Sequence, residues 1–415
     1  MTGPEQLAAR GAIEALRAGV PNRIAIRLLG SLEAGIEAQF TRGLMACATA
    51  APEPGLLIAG GYGTGKSHLL GHLQEEALRR GFVVSRVTIS KETPLSQPGA
   101  VYAAAMRGAI VQGRPEDAVA VALAEIQGRA GAVQALEEWA GREGLLPVFA
   151  AVSYLLGREL PPDLLRGIEA FLAGGKPPTQ AVRNRLAQLG ARSMFGLTGM
   201  KAAQLQLERQ RFVARLFRAA GFAGWCVLLD EVELIGRYGA VQRATAYAEL
   251  ARWLGIAPAL PQPDIHVTAA IADDFAAAVM DIRQDEERLP ERLRLKGLPR
   301  QADQAAAAML AIRDAPALRA PEAADLLRHG EVLRGAYGAA YGWDAPPASV
   351  AVRETRRTMR HHIRGWIIEW DMQRLYGGRT AVTVRPDGYS YVENDELAVG
   401  EKDEAAAVED DDQAG

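Results

Sequence analysis

The chain is poor in cysteine, since Cys47 and Cys226 are the only two among its 415 residues. Two cysteines cannot build the disulfide framework of a small secreted protein, and no spacing of cysteine with the six histidines resembles a zinc site. Long apolar runs are lacking too: residues 145–156, one of the longest, fall short of the ~20 residues that a membrane span needs. No basic segment followed by an apolar stretch opens the chain. We therefore expect a cytoplasmic protein without a secretory signal and without a membrane-spanning helix.

The remaining composition is that of an ordinary globular protein, with 49% hydrophobic and 23% charged residues. The net charge of −3 is spread unevenly, because residues 395–415 contain nine acidic residues and one lysine. The rest of the chain is left with 46 basic and 41 acidic residues. Such an acidic run is typical of a solvated, disordered tail, and the alternative is a mimic of nucleic acid that masks a basic surface.

The most informative segment fits the pattern G-x-x-x-x-G-K-[ST] without a mismatch. It consists of Gly60, Gly61, Tyr62, Gly63, Thr64, Gly65, Lys66 and Ser67. A strand-like apolar run, residues 56–59, precedes it, and a helix-like stretch, residues 68–80, follows it. Strand, glycine loop and helix are the context that a phosphate-binding loop requires, which favours this interpretation over a glycine-rich turn with a chance Lys-Ser.

The residue types of this segment suit a triphosphate. Four glycines let backbone N–H groups turn towards phosphates without obstruction by a Cβ atom, and the following helix points its positive end at them. We expect Lys66 to reach the β- and γ-phosphates and Ser67 to ligate the Mg²⁺ that bridges them. The segment therefore predicts binding of a nucleoside triphosphate.

A second pattern, residues 225–231, consists of five apolar residues followed by Asp230 and Glu231. The apolar run is typical of a parallel strand buried on both faces, and ligands of open α/β sheets bind at the carboxyl ends of such strands. We expect Asp230 to hold Mg²⁺ through its water shell and Glu231 to orient and polarise the attacking water. A kinase or a switch protein does not need the second carboxylate, so the pair favours an ATPase.

Hydrophobic periodicity divides the chain into four predicted parts. They are a helical segment at 1–50, a nucleotide-binding core at 51–300 with a helical insertion at about 95–205, a helical lid at 301–376, and a short hairpin with the acidic tail at 377–415. The core is expected to contain five parallel strands, at residues 55–59, 82–89, 225–229, 265–271 and 293–298. Within the insertion, residues 101–111 are expected to be the first helix. The predicted fold class is thus α/β, a P-loop NTPase with a five-stranded parallel sheet.

The order of phosphate loop, Asp-Glu strand, further strand and helical lid resembles an AAA+ ATPase. Four segments resemble, more specifically, the BrxC/BrxD-type ATP-binding proteins of bacterial phage-exclusion (BREX) systems. They are residues 16–22 (Leu-Arg-Ala-Gly-Val-Pro-Asn), 61–68 (Gly-Tyr-Gly-Thr-Gly-Lys-Ser-His), 81–87 (Gly-Phe-Val-Val-Ser-Arg-Val) and 228–233 (Leu-Leu-Asp-Glu-Val-Glu). The likeness spans most of residues 10–375 and leaves the tail outside.

The resemblance implies an ATPase that powers or gates a phage-defence complex acting on DNA, with ATP and Mg²⁺ as cofactors and other proteins of the system as partners. It adds His68 to the nucleotide-binding segment. The resemblance leaves open whether the chain contacts DNA directly and whether it forms a homo-oligomer. Two other functions remain as alternatives: an ATP-gated scaffold with negligible turnover, and a DNA-binding loader similar to replication initiators, although residues 301–376 contain no convincing helix-turn-helix.

The chain departs from the AAA+ pattern at one position. In that family the strand after the Asp-Glu element usually ends in a polar residue that senses the γ-phosphate, whereas Ala272 falls at the matching position here. The role is then absent or falls to Asp273 or Thr268. This departure bears on the rate of hydrolysis more than on binding.

Arginines form two groups of candidates for contacts with phosphate. The resemblance makes Arg288 and Arg292 the candidates for an arginine that contacts the γ-phosphate bound by a neighbouring subunit, and the alternative is a solvated helix end, because glutamates flank both. It also places a second sensor on the lid helix at 353–370, where Arg360 is the first choice and Arg357 the second. Five arginines share one face of that helix: Arg353, Arg356, Arg357, Arg360 and Arg364. Apart from sensing, this face is either solvated or follows a DNA backbone.

Overall fold

The computed structural model describes residues 3–20, 22–114, 117–197, 201–259, 262–348, 358–377 and 391. These residues form five strands: β1 (Leu56–Ala59), β2 (Val83–Thr88), β3 (Ala109–Ile110), β4 (Trp225–Asp230) and β5 (Ile265–Ile271). The α-helices before β4 are α1 (Gly3–Ala18), α2 (Arg23–Leu29), α3 (Ala34–Ala48), α4 (Lys66–Arg79), α5 (Pro98–Arg107), α6 (Ala118–Gln127), α7 (Ala130–Arg142), α8 (Pro147–Leu156), α9 (Pro162–Leu172), α10 (Thr179–Gln188) and α11 (Ala202–Ala219). Those after it are α12 (Ala240–Leu254), α13 (Asp285–Leu295), α14 (Pro299–Arg313), α15 (Ala323–Tyr341) and α16 (Met359–Tyr376).

The five strands form one sheet in the order β1-β5-β4-β2-β3. The four strands β1, β5, β4 and β2 are parallel, whereas β3 is antiparallel to β2. Ala59 pairs with Ile271 and Thr88 pairs with Asp230, so the carboxyl ends of all four parallel strands lie at one edge. The predicted α/β class is confirmed, but the prediction that all five strands are parallel is wrong.

The prediction of a strand at residues 293–298 is also wrong, because residues 293–295 belong to α13. Three acidic residues occupy the first turn of this helix, where their negative charges interact favourably with the positive end of the helix dipole. Leu289 and Leu293 are buried at helical spacing. The free edge of β1 is instead contacted by a single residue pair, Ala59 with Ala317, in parallel orientation. The Ala59 N–H donates to the Pro316 carbonyl at 2.9 Å, and the Leu318 N–H donates to the Ala59 carbonyl at 2.7 Å.

The antiparallel strand β3 lies inside the helix predicted at residues 101–111. Helix α5 ends at Arg107, and Ala109 and Ile110 pair with Ser85 and Val84 of β2. The apolar run fits a helix and a buried strand equally well, and the open backbone groups of β2 decide between them.

Both faces of the sheet are covered by helices. On one face, Phe40 of α3 and Leu70 of α4 belong to a cluster that includes Cys226 and Leu228 of β4. On the other face, Val227 belongs to a larger cluster with apolar residues of the helices α5 to α14. Because alternate residues of β4 face two apolar layers, its whole length is buried, as the continuous apolar run predicts.

The first helix packs against the last two described helices, α15 and α16. Their apolar residues form a cluster, here called the terminal cluster, whose buried members include Ile13, Leu333, Tyr337, Ile367 and Trp370. An ion pair between Arg17 and Asp371, at 2.8 Å, joins α1 to α16. This packing brings the end of α1 beside the loop that follows β1.

Several predictions fall on residues that the structure does not describe. The hairpin and the acidic tail, residues 377–415, lie outside the described residues apart from Gly377 and Tyr391. The same holds for Arg353, Arg356 and Arg357 of the arginine stripe. None of the helices in the described part combines the length and the apolar character needed to cross a membrane.

Candidate nucleotide site

The loop between β1 and α4, residues 60–65 and here called the glycine loop, is a tight turn. Gly63 and Gly65 have φ angles of +76° and +114°, which glycine adopts without the penalty that a side chain would bring. A Cβ atom on Gly60 would lie 2.8 Å from Thr64 Oγ1, so the close approach within the loop also requires glycine there. The loop leads directly into the first turn of α4 at Lys66.

The side chain of Lys66 turns back along this loop and is 92% buried. Its Nζ donates a hydrogen bond to the Gly60 carbonyl at 2.7 Å and lies 3.2 Å from Oε1 of Glu233. Glu233 is almost fully buried in the 3-10 helix Val232–Arg237 that follows the Asp-Glu pair. Burial raises the pKa of Glu233 to about 7, against the attraction of Lys66.

No sequence pattern predicted a role for Glu233. Its only signal was its place at the end of the segment 228–233 that resembles the BREX proteins. The contact with Lys66 depends on the turn after β4 and on the long-range pairing of β4 with its neighbours, which no local pattern contains.

The two residues expected to bind Mg²⁺, Ser67 and Asp230, lie close together through a shared partner. Nη2 of Arg86 donates to Asp230 Oδ2 at 2.7 Å and to the Ser67 backbone carbonyl at 3.0 Å. Asp230 is buried at the end of β4. Arg86 is the charged residue of strand β2, whose other residues are apolar or carry a hydroxyl group. It lies within residues 81–87, and no sequence pattern assigned it a role. The arrangement joins β2, β4 and α4 at the carboxyl edge of the sheet.

Glu231 adopts an unusual backbone conformation for a residue with a side chain. Its φ angle is +59°, in the left-handed region, and its N–H donates to Asp230 Oδ1 at 3.1 Å. Such a conformation costs of order 1–3 kcal/mol and clusters at functional sites. The side chain lines the same cavity as Lys66 and Glu233.

Polar and apolar side chains both line this cavity. The polar part of the lining includes Lys66, Ser67, Glu231 and Glu233, beside residues 61–65 of the glycine loop. The apolar part includes Val20, Leu29, Leu318, Met359 and Ile363, which come from the N-terminal segment, the segment beside β1, and α16. A charged phosphate chain matches the polar groups, and a flat aromatic base matches the apolar ones.

His68 lines the cavity and connects α4 to the N-terminal helices. Its Nε2 lies 2.7 Å from the carbonyl oxygen of Gly30, just after α2. Burial lowers the pKa of His68, so the ring is neutral near pH 7 and can donate its N–H to this carbonyl. The contact holds the segment between α2 and α3 against the start of α4.

Arg360 lies at the start of α16, directly beside the glycine loop. Its Nη1 donates to the Tyr62 hydroxyl at 3.3 Å, and its guanidinium carbon is 5.2 Å from the centre of the Tyr62 ring. A Cβ atom on Gly63 would lie 3.7 Å from Cβ of Arg360. Of the arginines proposed as a second sensor, Arg360 is therefore adjacent to the cavity, and Arg357 lies outside the described residues.

The structure separates the two candidates for the missing polar residue after β5. Thr268 is fully buried and pairs with Leu56 at the start of β1, away from the glycine loop. Asp273 lies beside the loop, because a Cβ atom on Gly61 would be 3.4 Å from Asp273 Oδ2. Ala272, the matching position itself, contributes no polar side chain. A carboxylate therefore stands near the position where a neutral sensor was expected.

Arg288 and Arg292 do not line this cavity within one chain. Both are exposed on α13, whose buried face includes Leu289 and Leu293. Cys47 and Cys226 are both buried and free.

Comparisons with known proteins agree with the resemblance over the first part of the chain. A search of curated proteins and a search of solved structures each gave no match. A family model described as "BREX system ATP-binding protein BrxC/D" matches residues 6–127, less than half of the chain. This stretch contains the glycine loop, Lys66, Arg86 and the N-terminal segment that lines the cavity, whereas Glu231 and Arg360 lie beyond it. Over residues 6–127 the resemblance is confirmed: this part of the chain matches the family of BREX system ATP-binding proteins, BrxC/D.

Proposed function

We propose that the chain is an ATPase of the P-loop, AAA+-like type that works in a BREX-type phage-defence complex. One observation carries the proposal: Lys66, Glu231 and Arg360 line a single cavity although they come from three distant parts of the sequence. The match of residues 6–127 to an ATP-binding family supports ATP as the nucleotide. The strand order, with the glycine loop after β1 and the acidic pair after the nearby strand β4, supports the proposed fold.

In this proposal the phosphates lie along the glycine loop and the adenine contacts the apolar side chains that line the cavity. The residues that bind the nucleotide are Gly60, Gly61, Tyr62, Gly63, Thr64, Gly65, Lys66, Ser67 and His68. Lys66 neutralises charge on the β- and γ-phosphates, since it is the cation buried at the end of the loop. Ser67 and Asp230, which share the partner Arg86, would together hold Mg²⁺, and this ion would neutralise phosphate charge.

Hydrolysis needs a group that orients water and cations that stabilise charge on the γ-phosphate. Glu231 is the proposed water-orienting base, because it lines the same cavity as Lys66 and Ser67. Arg360 is the proposed sensor of the γ-phosphate, since it lies beside Tyr62 and Gly63. Arg288 or Arg292 would act in trans in a homo-oligomer, because both are exposed on α13. The other partners are proteins of the defence system and, directly or through them, DNA.

Three proteins test this function: wild type, Lys66→Ala and Glu231→Gln. We expect wild type to bind ATP and release phosphate, Lys66→Ala to lose binding in isothermal titration, and Glu231→Gln to bind ATP without turnover. Glu231→Gln is the matched control for shape, because it keeps the size and hydrogen bonding of the side chain while removing the base. Wild-type affinity for ATP in Lys66→Ala would overturn the site assignment.

A scaffold that binds ATP with negligible turnover is the second candidate. The observation that favours it is the carboxylate of Asp273 beside Gly61, where a neutral sensor is expected and where negative charge would repel the γ-phosphate. Phosphate release by wild type, with partners and DNA supplied, decides between the two. Release no greater than that of Glu231→Gln would favour the scaffold.

A further inference from the structure

The buried carboxylate of Glu233 lies where the proposed nucleotide phosphates need a cation. Its side chain is 1% exposed and that of Lys66 is 8% exposed, and the two form an ion pair at 3.2 Å. A carboxylate so deeply buried is strongly disfavoured unless a positive charge compensates it. Among the residues that the structure describes, the charged groups that shift the pKa of Glu233 are Lys66 from α4 and Glu231 from its own turn, and of these two only Lys66 is positive.

Phosphate and Glu233 therefore compete for one ammonium group. The Nζ of Lys66 is held between the Gly60 carbonyl and the Glu233 carboxylate. An ammonium group has three donors, but a phosphate at the glycine loop and a carboxylate at 3.2 Å would place two anions side by side in a buried site.

We propose that Glu233 is the resident counter-ion of Lys66 in the nucleotide-free protein and that nucleotide phosphate binds by displacing it. This inference rests on the proposed nucleotide site. Glu233 is a positioning residue: it holds the Lys66 side chain along the glycine loop, and it opposes nucleotide binding by an amount that depends on its own charge.

The displaced carboxylate favours its protonated form. It stays buried next to Glu231 and has lost its cation to the phosphate, so the neutral acid becomes the more stable state. Since burial already places the pKa of Glu233 at about 7 in the free protein, the group is mostly ionised at pH 8 and mostly protonated at pH 6. Nucleotide binding at pH 8 is then accompanied by uptake of close to one proton, and at pH 6 by almost none.

The experiment is isothermal titration with ADP and Mg²⁺, a probe that carries the β-phosphate and is not hydrolysed. The proteins are wild type and Glu233→Gln, which keeps the shape of the side chain but not its charge. At pH 8 we expect Glu233→Gln to bind ADP about tenfold more tightly than wild type, and at pH 6 the two affinities should converge. Protonation of ADP itself changes both affinities by the same factor, so it does not affect their ratio.

Proton uptake provides a second measurement that needs no variant. Titration of wild type at pH 8 in two buffers of different ionisation enthalpy should give about one proton taken up per ADP, and Glu233→Gln should take up almost none. Equal or weaker ADP binding by folded Glu233→Gln at pH 8 would overturn the inference. If the variant does not fold, absence of proton uptake by wild type at pH 8 would overturn it equally.

The proposed function and this inference can fail separately. If wild type binds neither ADP nor ATP, the nucleotide site itself is wrong. If wild type binds ADP, Lys66→Ala does not, and Glu233→Gln behaves as wild type at both pH values, the site stands and the role of Glu233 is wrong.

Discussion

Replacing Asp285 by Asn should destabilise the protein more than any exposed charge change, because Asp285 neutralises a buried arginine. Asp285 is fully buried and Arg243 is 3% exposed. Arg243 donates to both carboxylate oxygens, at 2.7 and 2.8 Å, and the Tyr247 hydroxyl donates to one of them at 3.0 Å. Removing one partner of a buried pair leaves an uncompensated charge and typically costs about 3–5 kcal/mol of unfolding free energy.

The same network joins the turn that contains Glu231 and Glu233 to α13. Nη1 of Arg243 donates to the Tyr238 carbonyl at 2.6 Å, at the end of the 3-10 helix that follows Glu231. Asp285 begins α13, the helix that carries Arg288 and Arg292. We therefore expect the loss of Asp285 to loosen both the turn and the start of α13.

Urea unfolding at pH 7 measures the effect, with the exposed pair of Arg294 and Asp303 as the control. That pair has a similar distance, 2.8 Å, but its side chains are 53% and 55% exposed, so Asp303→Asn should cost less than about 1 kcal/mol. The double variant with Arg243→Met and Asp285→Leu should recover most of the stability, because it removes both charges. A loss below about 1 kcal/mol in Asp285→Asn, or a double variant as unstable as the single one, would refute the reasoning.

Three further predictions concern the cavity. Arg360→Ala should lower the rate of ATP hydrolysis about a hundredfold while leaving ADP affinity nearly unchanged, because ADP lacks the γ-phosphate. Arg364→Ala, on the same helix, is the control, and an equal loss of hydrolysis in both variants would contradict a sensor role. Gly65→Ala should cost of order 1–3 kcal/mol in urea unfolding and weaken nucleotide binding, because its φ angle is +114° while nothing lies within 4 Å of the added Cβ. Gly35→Ala in α3, also with open space, should be neutral or stabilising. The ionisation of Glu233 should lower the free energy of unfolding of the nucleotide-free protein by up to about 3 kcal/mol as pH rises from 4.5 to 7. The reason is that the raised pKa makes ionisation less favourable in the folded state than in the unfolded state. The same dependence of unfolding free energy on pH in Glu233→Gln would contradict this.

The sequence by itself determined the elements whose signals are local. The glycine loop, α4 and the buried strand β4 follow from patterns within 15 residues or so, because backbone conformation and burial on both faces leave direct marks on composition. The same local signals failed at the edges of the sheet. The local pattern of residues 293–298 predicted a strand, but Leu289 and Leu293 are buried at helical spacing and the first part of this segment is helical. Ala109 and Ile110 form a strand because they pair with the open edge of β2.

Only the tertiary structure decided which charges meet in the cavity. The ion pair of Lys66 with Glu233 and that of Arg86 with Asp230 each join different elements of the sheet and its loops. Their formation depends on the register of β2 and β4 and on the turn at Glu231, and a shift of one residue would turn the strand side chains to the opposite face. The contact of Arg360 with Tyr62 depends in the same way on the packing of α16 in the terminal cluster against α1. Local propensity carries no record of such pairings, because they arise when buried surfaces from distant parts of the chain are brought together.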